Sequence, residues 1–455
     1  MWETQPVARA MTRRSRSRLI AAVSFALLVG GCSVSPAGSL EPAGVPRASA
    51  PATTGSQATA TGNPVDRTAS AAVSGLADEP GWYRVAAPFG DPSTATWLDG
   101  VVAWQSQFVA FGRVKAPGRN QFDELAAVFL SDTGETWRPV PIDAGVGPGD
   151  TSEISLLAGG PRGMVVFGGT CCGAQGRAIW YSPDGRAWER VALEPSVFDG
   201  SEIAAVRAGD SGFVAVGSRS GRAAIWRSDD GRTWTSVGGA AAGLGRGAIA
   251  DVAAVHGRLL AVGSQDDGKT YDGALWESPD GADWRRLPTD RLFRGELDTV
   301  FGRLYATPNG LLLIGYEGSH AERVQCEQSG ADCGWGVETH WWSSDGRSWE
   351  RLPPVRPAPG EPPLTGPGPL EFRLITAGGP GLVNLGEGRS GVVRLWASPD
   401  GREWQDLERG EVLRSGQDMA SGIAVLNGKV VAVGDAWDMN SGEPSEPGVW
   451  IGPGL

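Results

Sequence analysis

Ser228-Asp-Asp-Gly-Arg-Thr-Trp234 is one of six closely related seven-residue phrases in this chain of 455 residues. Successive copies lie about 50 residues apart, and self-similarity at such a period indicates a repeat protein whose units pack against their neighbours. The phrase alone therefore predicts a fold built from repeated units. The other copies are Ser131-Asp-Thr-Gly-Glu-Thr-Trp137, Ser182-Pro-Asp-Gly-Arg-Ala-Trp188, Ser278-Pro-Asp-Gly-Ala-Asp-Trp284, Ser343-Ser-Asp-Gly-Arg-Ser-Trp349 and Ser398-Pro-Asp-Gly-Arg-Glu-Trp404.

Each copy lies within a unit of four short apolar runs. Around Trp234 these runs are residues 203–209, 213–217, 223–227 and 234–237. Short runs of β-branched and aromatic residues bounded by turn residues predict β-strands, and the segments between them show no helical period. Four strands joined by tight turns form a meander, and a ring of such units is a β-propeller. The predicted fold class is therefore all-β.

The repeated phrase has a structural role of its own. Asp-Gly between two strands favours a tight hairpin, because Gly accepts a positive φ without a steric clash. The Asp carboxylate and the Ser hydroxyl can accept backbone N–H hydrogen bonds within the turn, and the Trp begins the next strand. We therefore expect a structural role for the aspartates of the phrase. They are Asp132, Asp184, Asp230, Asp280, Asp345 and Asp400.

The phrase resembles the Asp box, or BNR repeat, of the sialidase-like β-propellers, whose pattern is Ser-x-Asp-x-Gly-x-Thr-Trp. The copies in this chain are one residue shorter between Ser and Trp. In that family the box lies in the hairpin between the third and fourth strands, on the face away from the ligand site. The resemblance implies a propeller scaffold whose ligand site, if it has one, lies on the opposite face.

The units number seven when they are counted by their second strand, an apolar run that ends in Gly. The last unit has no fourth strand after Trp450, whereas Trp82-Tyr-Arg-Val85 resembles a fourth strand and has no third strand before it. Closing the ring with this N-terminal strand leaves no open sheet edge. We predict a seven-bladed β-propeller of four-stranded antiparallel blades, closed by the N-terminal strand completing the last blade; an open ring is the alternative. The seven runs are residues 108–112, 164–168, 213–217, 259–263, 311–315, 382–386 and 430–434.

Residues 1–31 have the features of a secretory signal. Four arginines between residues 13 and 18 precede an apolar run over residues 19–29, which is too short to span a bilayer as a helix. Val29-Gly-Gly-Cys32 resembles the bacterial lipobox, in which the chain is cut before a Cys that is then lipidated. The resemblance implies lipidation at Cys32 and a protein on the outer face of the bacterial cell membrane. An ordinary signal peptide with an incidental Cys is the alternative.

Residues 32–80 form a segment rich in Ala, Ser, Thr, Pro and Gly. This composition buries too little apolar surface to order itself, which predicts a disordered tether and leaves residues 81–455 as the propeller. The net charge of −12 disfavours nucleic acid and anionic headgroups as partners. The expected partners are the membrane, through the lipid anchor, and a glycan or an envelope protein, with the propeller monomeric.

Four cysteines follow Cys32. Export permits disulfides, and four cysteines allow three pairings. Cys326 and Cys333 lie in one loop, which favours a local pair and leaves Cys171 and Cys172 as a vicinal disulfide or two free thiols. A zinc site built from these four is the alternative, but their spacing lacks paired Cys-x-x-Cys motifs. No cofactor or metal is expected.

The loops that join second to third strands, and those that join successive blades, share one face of a propeller. Loops carry function more often than strands do, and aromatic and acidic side chains on such a face suit a carbohydrate or a peptide. The alternative is that the tryptophans among them only pack their own loops. The candidate ligand-binding residues are Arg113, Asp266, Asp267, Tyr271, Tyr316, Glu317, Trp335, Glu338, His340, Trp342 and Trp437.

Two functions from different classes fit this pattern. Sialidases of the resembled family need an arginine triad, a Tyr nucleophile paired with Glu, and an Asp acid, and an Arg-Ile-Pro motif supplies one of the arginines. This chain contains no Arg-Ile-Pro, and sialidase propellers generally have six blades. Seven blades with Asp boxes also resemble the non-catalytic photosystem II assembly-factor propellers. We therefore favour a non-catalytic binding or assembly module; an extracellular glycoside hydrolase of sialidase type is the alternative.

Overall fold

The protein is a ring of seven four-stranded antiparallel sheets, as shown by a computed structural model. The fold class, the number of blades and the closure predicted from the sequence are confirmed. The structure describes residues 82–86, 88–89, 97–115, 124–142, 151–171, 176–238, 242–289, 293, 297–329, 336–353, 371–379, 381–387, 393–407, 418–438, 443–452 and 454–455.

The blades follow one another along the chain, and each contains four strands in sequential order. The chain enters at β1 (Tyr83–Arg84), which belongs to blade 7. Blades 1 to 3 comprise β2 (Trp97–Trp104), β3 (Gln107–Lys115), β4 (Glu124–Ser131), β5 (Arg138–Pro141), β6 (Thr151–Gly160), β7 (Gly163–Cys171), β8 (Gly176–Ser182), β9 (Glu189–Arg190), β10 (Ser201–Gly209), β11 (Gly212–Arg219), β12 (Arg222–Ser228) and β13 (Thr235–Val237).

The remaining blades repeat the same order. Blades 4 to 7 comprise β14 (Gly247–Val255), β15 (Arg258–Asp266), β16 (Tyr271–Ser278), β17 (Arg285–Arg286), β18 (Leu297–Thr307), β19 (Gly310–Ser319), β20 (Val337–Ser343), β21 (Glu350–Arg351), β22 (Glu371–Gly378), β23 (Gly381–Glu387), β24 (Val393–Ser398), β25 (Gln405–Asp406), β26 (Asp418–Leu426), β27 (Lys429–Asp438) and β28 (Glu443–Ile451). The first strands of neighbouring blades contact one another around the ring axis.

The ring closes between β1 and β28. Tyr83 pairs with Ile451, Arg84 pairs with Trp450, and the N–H of Val85 donates to Val449 O at 2.9 Å. The N-terminal strand thus supplies the fourth strand of blade 7. This pairing covers the edge of β28 that would otherwise be open to another chain.

In the described part of the chain two helices interrupt the all-β pattern, and neither was predicted from the sequence. Helix α1 (Pro195–Phe198) precedes blade 3, and helix α2 (His320–Ser329) follows β19 in blade 5. Phe198 of α1 stacks on Trp226 with ring centres 5.4 Å apart, so this short helix contributes to the core between blades 2 and 3. Among the described residues, no helix has the length and apolar character needed to cross a membrane.

The core consists of the blade interfaces. The tryptophan that precedes each Ser of the repeated phrase lies on the third strand and is buried between blades, as it is at Trp226 and Trp276. Burial of such large aromatic surfaces between sheets is the main source of stability in an architecture whose blades cannot fold alone. The corresponding residues elsewhere are Phe129, Trp180, Trp341 and Trp396.

A β-bulge recurs in the first strand of all seven blades. The register shifts by one residue between Ile203 and Ala205, for example, just where β10 passes the glycine that ends the apolar run of β11. A Cβ on that glycine, Gly217, would lie 1.9 Å from Glu202 O. The bulge brings the backbones too close for any side chain, which explains the Gly at the end of the apolar run in the second strands of blades 1 to 5. The other shifts lie at Leu98/Gly100, Ile154/Leu156, Ile249/Asp251, Phe301/Arg303, Glu371/Leu374 and Ala420/Gly422.

The repeated phrase forms the hairpin between the third and fourth strands in six blades. In blade 4 the Asp280 carboxylate accepts the N–H groups of Ala282 (2.8 Å) and Asp283 (3.0 Å), and Ser278 Oγ accepts the N–H of Gly281 at 2.8 Å. Asp184, Asp230 and Asp345 make the same pair of bonds, and Asp400 accepts one of them.

The first copy of the phrase differs from the prediction. Thr133, not Asp132, takes the acceptor position in this turn, and its Oγ1 accepts the N–H of Glu135 at 3.2 Å. The reason is spacing, because Asp132 stands one residue earlier than the aspartate of the other copies. Ser131 still accepts the N–H of Gly134, so the turn itself is preserved.

Candidate functional site on the loop face

The two ends of the blades carry different connections. The turns between first and second strands and between third and fourth strands lie at one end, so the repeated phrases all lie there. The connections between second and third strands, and those between blades, lie at the other end, which we call the loop face. Residues at the ends of second strands and at the starts of first and third strands therefore meet on the loop face.

Five charged residues lie near one another on the loop face around the junction of blade 7 with blade 1, and one of them comes from blade 2. They are Asp99, Arg113, Glu124, Glu153 and Asp435, and we call them the seam cluster. Arg113 Nη1 lies 3.0 Å from Glu124 Oε2, and its Nη2 lies 3.9 Å from Asp99 Oδ1. Among the described side chains of this cluster Arg113 is the one cation, and it lies near two of the four carboxyl groups, those of Glu124 and Asp99.

Asp435 lies one residue beyond the glycine of β27 and is only 8% exposed. Its carboxylate accepts the N–H of Leu98 across the blade interface, while its Oδ1 is buried without a hydrogen-bond partner. Blade 4 has Ser264 at the equivalent position; Ser264 Oγ accepts the N–H of Phe301 (3.1 Å) and donates to Thr299 O (3.2 Å). A neutral hydroxyl can thus bind the same backbone groups, so the fold does not require a charge at Asp435.

The seam cluster contains two acids with strongly shifted proton affinity. Burial raises the pKa of Asp435 to about 7, and the negative charge of Asp99 adds to the effect. Burial likewise raises the pKa of Asp99 to about 6; Arg113 opposes this shift and Glu153 reinforces it. Asp99 still keeps 33% of its side-chain surface exposed, so solvent and ligands can reach it. Reachable acids that titrate near neutral pH are a property of functional sites.

A second cluster fastens helix α2 to the loop face. His320 Nδ1 lies 3.0 Å from Asp298 Oδ2, and Arg323 Nε donates to the same oxygen. The backbone N–H of Tyr271 donates to Asp298 Oδ1 at 3.0 Å, and the Arg323 guanidinium lies 3.9 Å from the centre of the Tyr271 ring. Both oxygens of this fully buried carboxylate are paired, so the cluster has a complete structural explanation.

Four predicted candidates lie together at the loop-face end of blade 5. Tyr316 pairs with Glu338 across β19 and β20, and Glu338 Oε1 lies 2.7 Å from His340 Nε2. Glu317, on the next residue of β19, forms an ion pair with Arg351. The arrangement brings a phenol next to a carboxylate, which is the pairing that the sialidase alternative requires.

Asp266 and Asp267 accept hydrogen bonds within their own turn. Asp266 Oδ1 accepts the N–H of Gly268 at 2.7 Å, and its Oδ2 lies 3.1 Å from Arg246 Nη2. Asp267 accepts the N–H of Thr270 at 2.9 Å, and this bond lowers the pKa of its carboxyl. Both aspartates lie on the loop face as predicted, but their contacts are those of turn residues.

The prediction for Trp342 is wrong. Its Nε1 donates to Asp400 O at 3.0 Å, and the Arg402 guanidinium lies 4.6 Å from the centre of one of its rings. These contacts are with the repeated phrase of blade 6, at the end of β20 opposite the loop face. The sequence analysis took Trp342 as the base of a loop, but the strand runs on through it to Ser343 and carries it to the other face.

Several predicted residues lie outside the part of the chain that the structure describes, or are described by their backbones alone. Trp335, Cys333 and Cys32 lie outside the described residues, so the disulfide and the lipidation stay predictions. Trp437 belongs to β27 and Cys326 to α2 by their backbones alone. Among the described residues, no three His, Cys, Asp or Glu side chains form a metal-binding group.

Sequence reasoning missed the central residues of the seam cluster. Asp99 lies on a bulge, and nothing in the alternation of its strand marks it. Asp435 could have been found, because the residue after each second-strand glycine is Arg113, Gly169, Ser218, Ser264, Tyr316, Glu387 or Asp435. These positions share one place in the repeat and face the next blade, so acidic members of the set are unusual.

Fold and site together define the protein as a seven-bladed β-propeller with its uncompensated ionisable groups on the loop face. No protein-family model and no curated protein matches the chain. Similar solved structures include the β-propeller domain of the trilobed protease from Pyrococcus furiosus, which is 8% identical with a TM-score of 0.46 over 80% of this chain and 97% of that domain.

Two further solved structures are enzymes that contain propellers. The acylaminoacyl peptidase from Pyrococcus horikoshii is 10% identical with a TM-score of 0.45, and the alignment covers 80% of this chain but 53% of the peptidase. The Trypanosoma rangeli sialidase is 12% identical with a TM-score of 0.39, and coverage is 82% of this chain and 59% of the sialidase. At such identities the likeness concerns the fold alone.

Proposed function

We propose that the protein is a membrane-tethered, extracytoplasmic β-propeller that binds a glycan or an envelope protein through its loop face and has no catalytic chemistry of its own. The observation that carries the proposal is the seam cluster, where a buried carboxylate oxygen of Asp435 has no partner and Arg113 lies between Glu124 and Asp99. A buried, unsatisfied charge costs stability, so a protein that retains one gains something from it other than folding.

The contrast between the two faces supports this proposal. On the face of the repeated phrases, polar side chains such as Asp280 and Ser278 accept hydrogen bonds from the backbone of the turns. On the loop face, Asp435 keeps an unpaired oxygen and Asp99 remains open to solvent. Polar groups that the scaffold does not use are the ones available to a ligand.

Binding can be tested on the full-length chain in detergent, immobilised and exposed to purified envelope glycans and to a set of purified envelope proteins. We expect retention of a ligand that is recovered chemically unchanged and that is lost in the Asp99→Asn variant. Asp229→Asn is the matched control, since Asp229 is an exposed acid within the repeated phrase of blade 3, on the opposite face. Failure to retain any ligand, or recovery of cleaved products, would contradict the proposal.

The tether is tested separately. The segment before Cys32 and the Ala/Ser/Pro/Gly-rich residues 32–80 support an anchor of more than one acyl chain, which gives stable membrane attachment. In a bacterial host we expect incorporation of labelled fatty acid and recovery with the membrane fraction, both abolished by Cys32→Ala. Labelling that persists in this variant would refute the anchor.

A glycoside hydrolase of sialidase type is the second candidate, and the juxtaposition of Tyr316 and Glu338 favours it. Turnover of a fluorogenic sialoside that is lost in Tyr316→Phe and in Glu338→Gln would establish it. Tyr305→Phe is the control, because Tyr305 is buried and its pKa is raised to about 12 by that burial, so it cannot serve as a nucleophile near neutral pH.

A further inference from the structure

Acidic groups outnumber basic ones among the described side chains of the seam cluster, which favours a positively charged ligand. Among the described side chains, the charged groups that surround Asp435 and Asp99 are Arg113, Glu124 and Glu153. Arg113 is already paired with Glu124 at 3.0 Å and lies farther, at 3.9 Å, from Asp99. Each carboxyl that ionises here meets other negative charges, and Asp435 is also largely shielded from water, so an added cation would be attracted.

The two seam aspartates offer fewer oxygen ligands than a divalent ion prefers. Calcium takes six to eight oxygens and magnesium a full octahedron. In the described part of the chain no three acidic, His or Cys side chains converge for a metal, and the two seam aspartates are too few. An ammonium group has three N–H donors and needs only a few acceptors, which two carboxylates and water can provide.

We propose that the loop face between blades 7 and 1 is a binding site for a single primary ammonium group, held by Asp99 and Asp435. Asp99 is the exposed contact. The unpaired Oδ1 of Asp435 is the second acceptor, presented by rotation about its terminal side-chain bond, a torsion with a broad energy profile. The ammonium can belong to a lysine side chain of a protein partner or to an amino sugar of a glycan.

This inference rests on the proposed binding role of the loop face and names its ligand chemistry. The site must also respond to pH, since the carboxyls bind a cation only when ionised. Burial raises the pKa of Asp99 to about 6, so at pH 5 about a tenth of it is ionised and at pH 7.5 nearly all is. Affinity is therefore expected to rise at least tenfold between these two values, since Asp435, whose pKa is raised to about 7, also ionises over this range.

The test uses the full-length chain in detergent and isothermal titration at pH 5.0 and pH 7.5. One arm is Nα-acetyl-lysine amide with Nα-acetyl-norleucine amide as its uncharged control; the other is methyl glucosaminide with methyl N-acetylglucosaminide as its control. We expect an amine to bind and its uncharged control to fail, with the pH effect of at least tenfold. The arm that binds more tightly identifies the source of the ammonium group.

Three variants locate the site. Asp99→Asn is expected to weaken amine binding at least tenfold and Asp435→Asn at least threefold, whereas Asp229→Asn on the opposite face leaves it unchanged. Because Asp99 is partly exposed, its variant is expected to fold, which circular dichroism checks. Equal binding of the uncharged controls, full affinity in both seam variants, or displacement of the amine by millimolar calcium would overturn the proposal.

Different results would contradict the ammonium site and the proposed binding function. If envelope ligands are retained but the amines do not bind, the ammonium site is wrong and the binding module stands. If the amines bind with the expected pH dependence but no envelope glycan or protein is retained, the site stands and the proposed function is wrong.

Discussion

The carboxylate of Asp280 accepts two backbone N–H groups of its own turn, whereas Asp435 Oδ1 accepts none. The difference appears in their acidity. Backbone hydrogen bonds hold the pKa of Asp280 below its usual value, and burial raises the pKa of Asp435 to about 7. An aspartate of the repeated phrase thus has its carboxylate engaged by the turn, whereas Asp435 of the seam cluster keeps one buried carboxylate oxygen unpaired.

Replacing Asp280 by Ala is expected to lower the free energy of unfolding by about 1 to 2 kcal/mol, since two backbone donors lose a charged acceptor. Urea denaturation at pH 7 measures the loss. A lowered pKa means that this contribution is present above about pH 4 and vanishes as pH falls through the folded-state value. Asp283→Ala, an exposed change in the same turn, is the control. Equal effects of the two substitutions would contradict the role assigned to Asp280.

Replacing Asp435 by Asn is expected to raise the free energy of unfolding, the opposite of the effect at Asp280. A raised folded-state pKa means that the protein loses stability as pH rises from about 4 to about 7. The Asn variant escapes this loss, so relative to the natural chain it should gain about 2 kcal/mol more at pH 8 than at pH 5. Guanidinium denaturation at both pH values measures it. A difference that does not change with pH would show that Asp435 titrates normally.

At the scale of the element, the blade depends on the pairing of a bulged first strand with a glycine-ended second strand. The β10 bulge lies opposite Gly217, and the same geometry places Trp97 O where a Cβ on Gly112 would have to be. The bulge also sets the position of Asp99, since it is the residue passed over in the register of β2. Local backbone geometry therefore determines which side chain reaches the loop face.

Gly217→Ala is expected to lower the free energy of unfolding by about 3 kcal/mol, because the added methyl group meets backbone, which cannot move aside as a side chain can. Gly209→Ala, in the same blade, is the matched control, since a Cβ there meets nothing within 4 Å. Thermal and urea denaturation compare the two. Similar losses in both variants would mean that the close approach at the bulge is not what requires glycine.

Much of the structure of the blades could be predicted from the sequence. The strands, the hairpin phrase and the number of blades follow from periodicity, since Trp234 and its counterparts recur in register. The bulge could not be predicted, because it depends on packing around the ring axis. For the same reason Asp99 was missed, whereas Trp342 was assigned to the wrong face because the extent of β20 was not predicted. Helix α2 escaped prediction because its sequence has little amphipathic pattern.

At the scale of the whole molecule, the ring is held by the pairing of β1 with β28 and by Trp82. The Trp82 ring lies against Gly452, where an added Cβ would come within 2.9 Å of it, and packs on the core of blades 6 and 7. The seam cluster lies on the loop face of this same blade, where it meets blade 1. Closure and the candidate site therefore share blade 7.

Removing residues through Ala86 is expected to expose the edge of β28 and to cause self-association. A truncation that begins at residue 80 keeps the closing strand and is the control. We expect light scattering after size exclusion to show oligomers and a lower melting temperature only for the longer truncation. Identical behaviour of the two would contradict the contribution of β1 to closure.

The seam acids are expected to titrate near neutral pH, and the candidate site depends on this property. Carbon-detected NMR of the full-length chain, labelled at aspartate carboxyl carbons, follows them directly, and Asp435→Asn and Asp99→Asn assign the two signals. We predict apparent pKa values of about 7 and about 6 for the pair. If both carboxyls titrate below pH 4.5 like exposed aspartates, the seam cluster is an ordinary solvated surface and the proposed site falls with it.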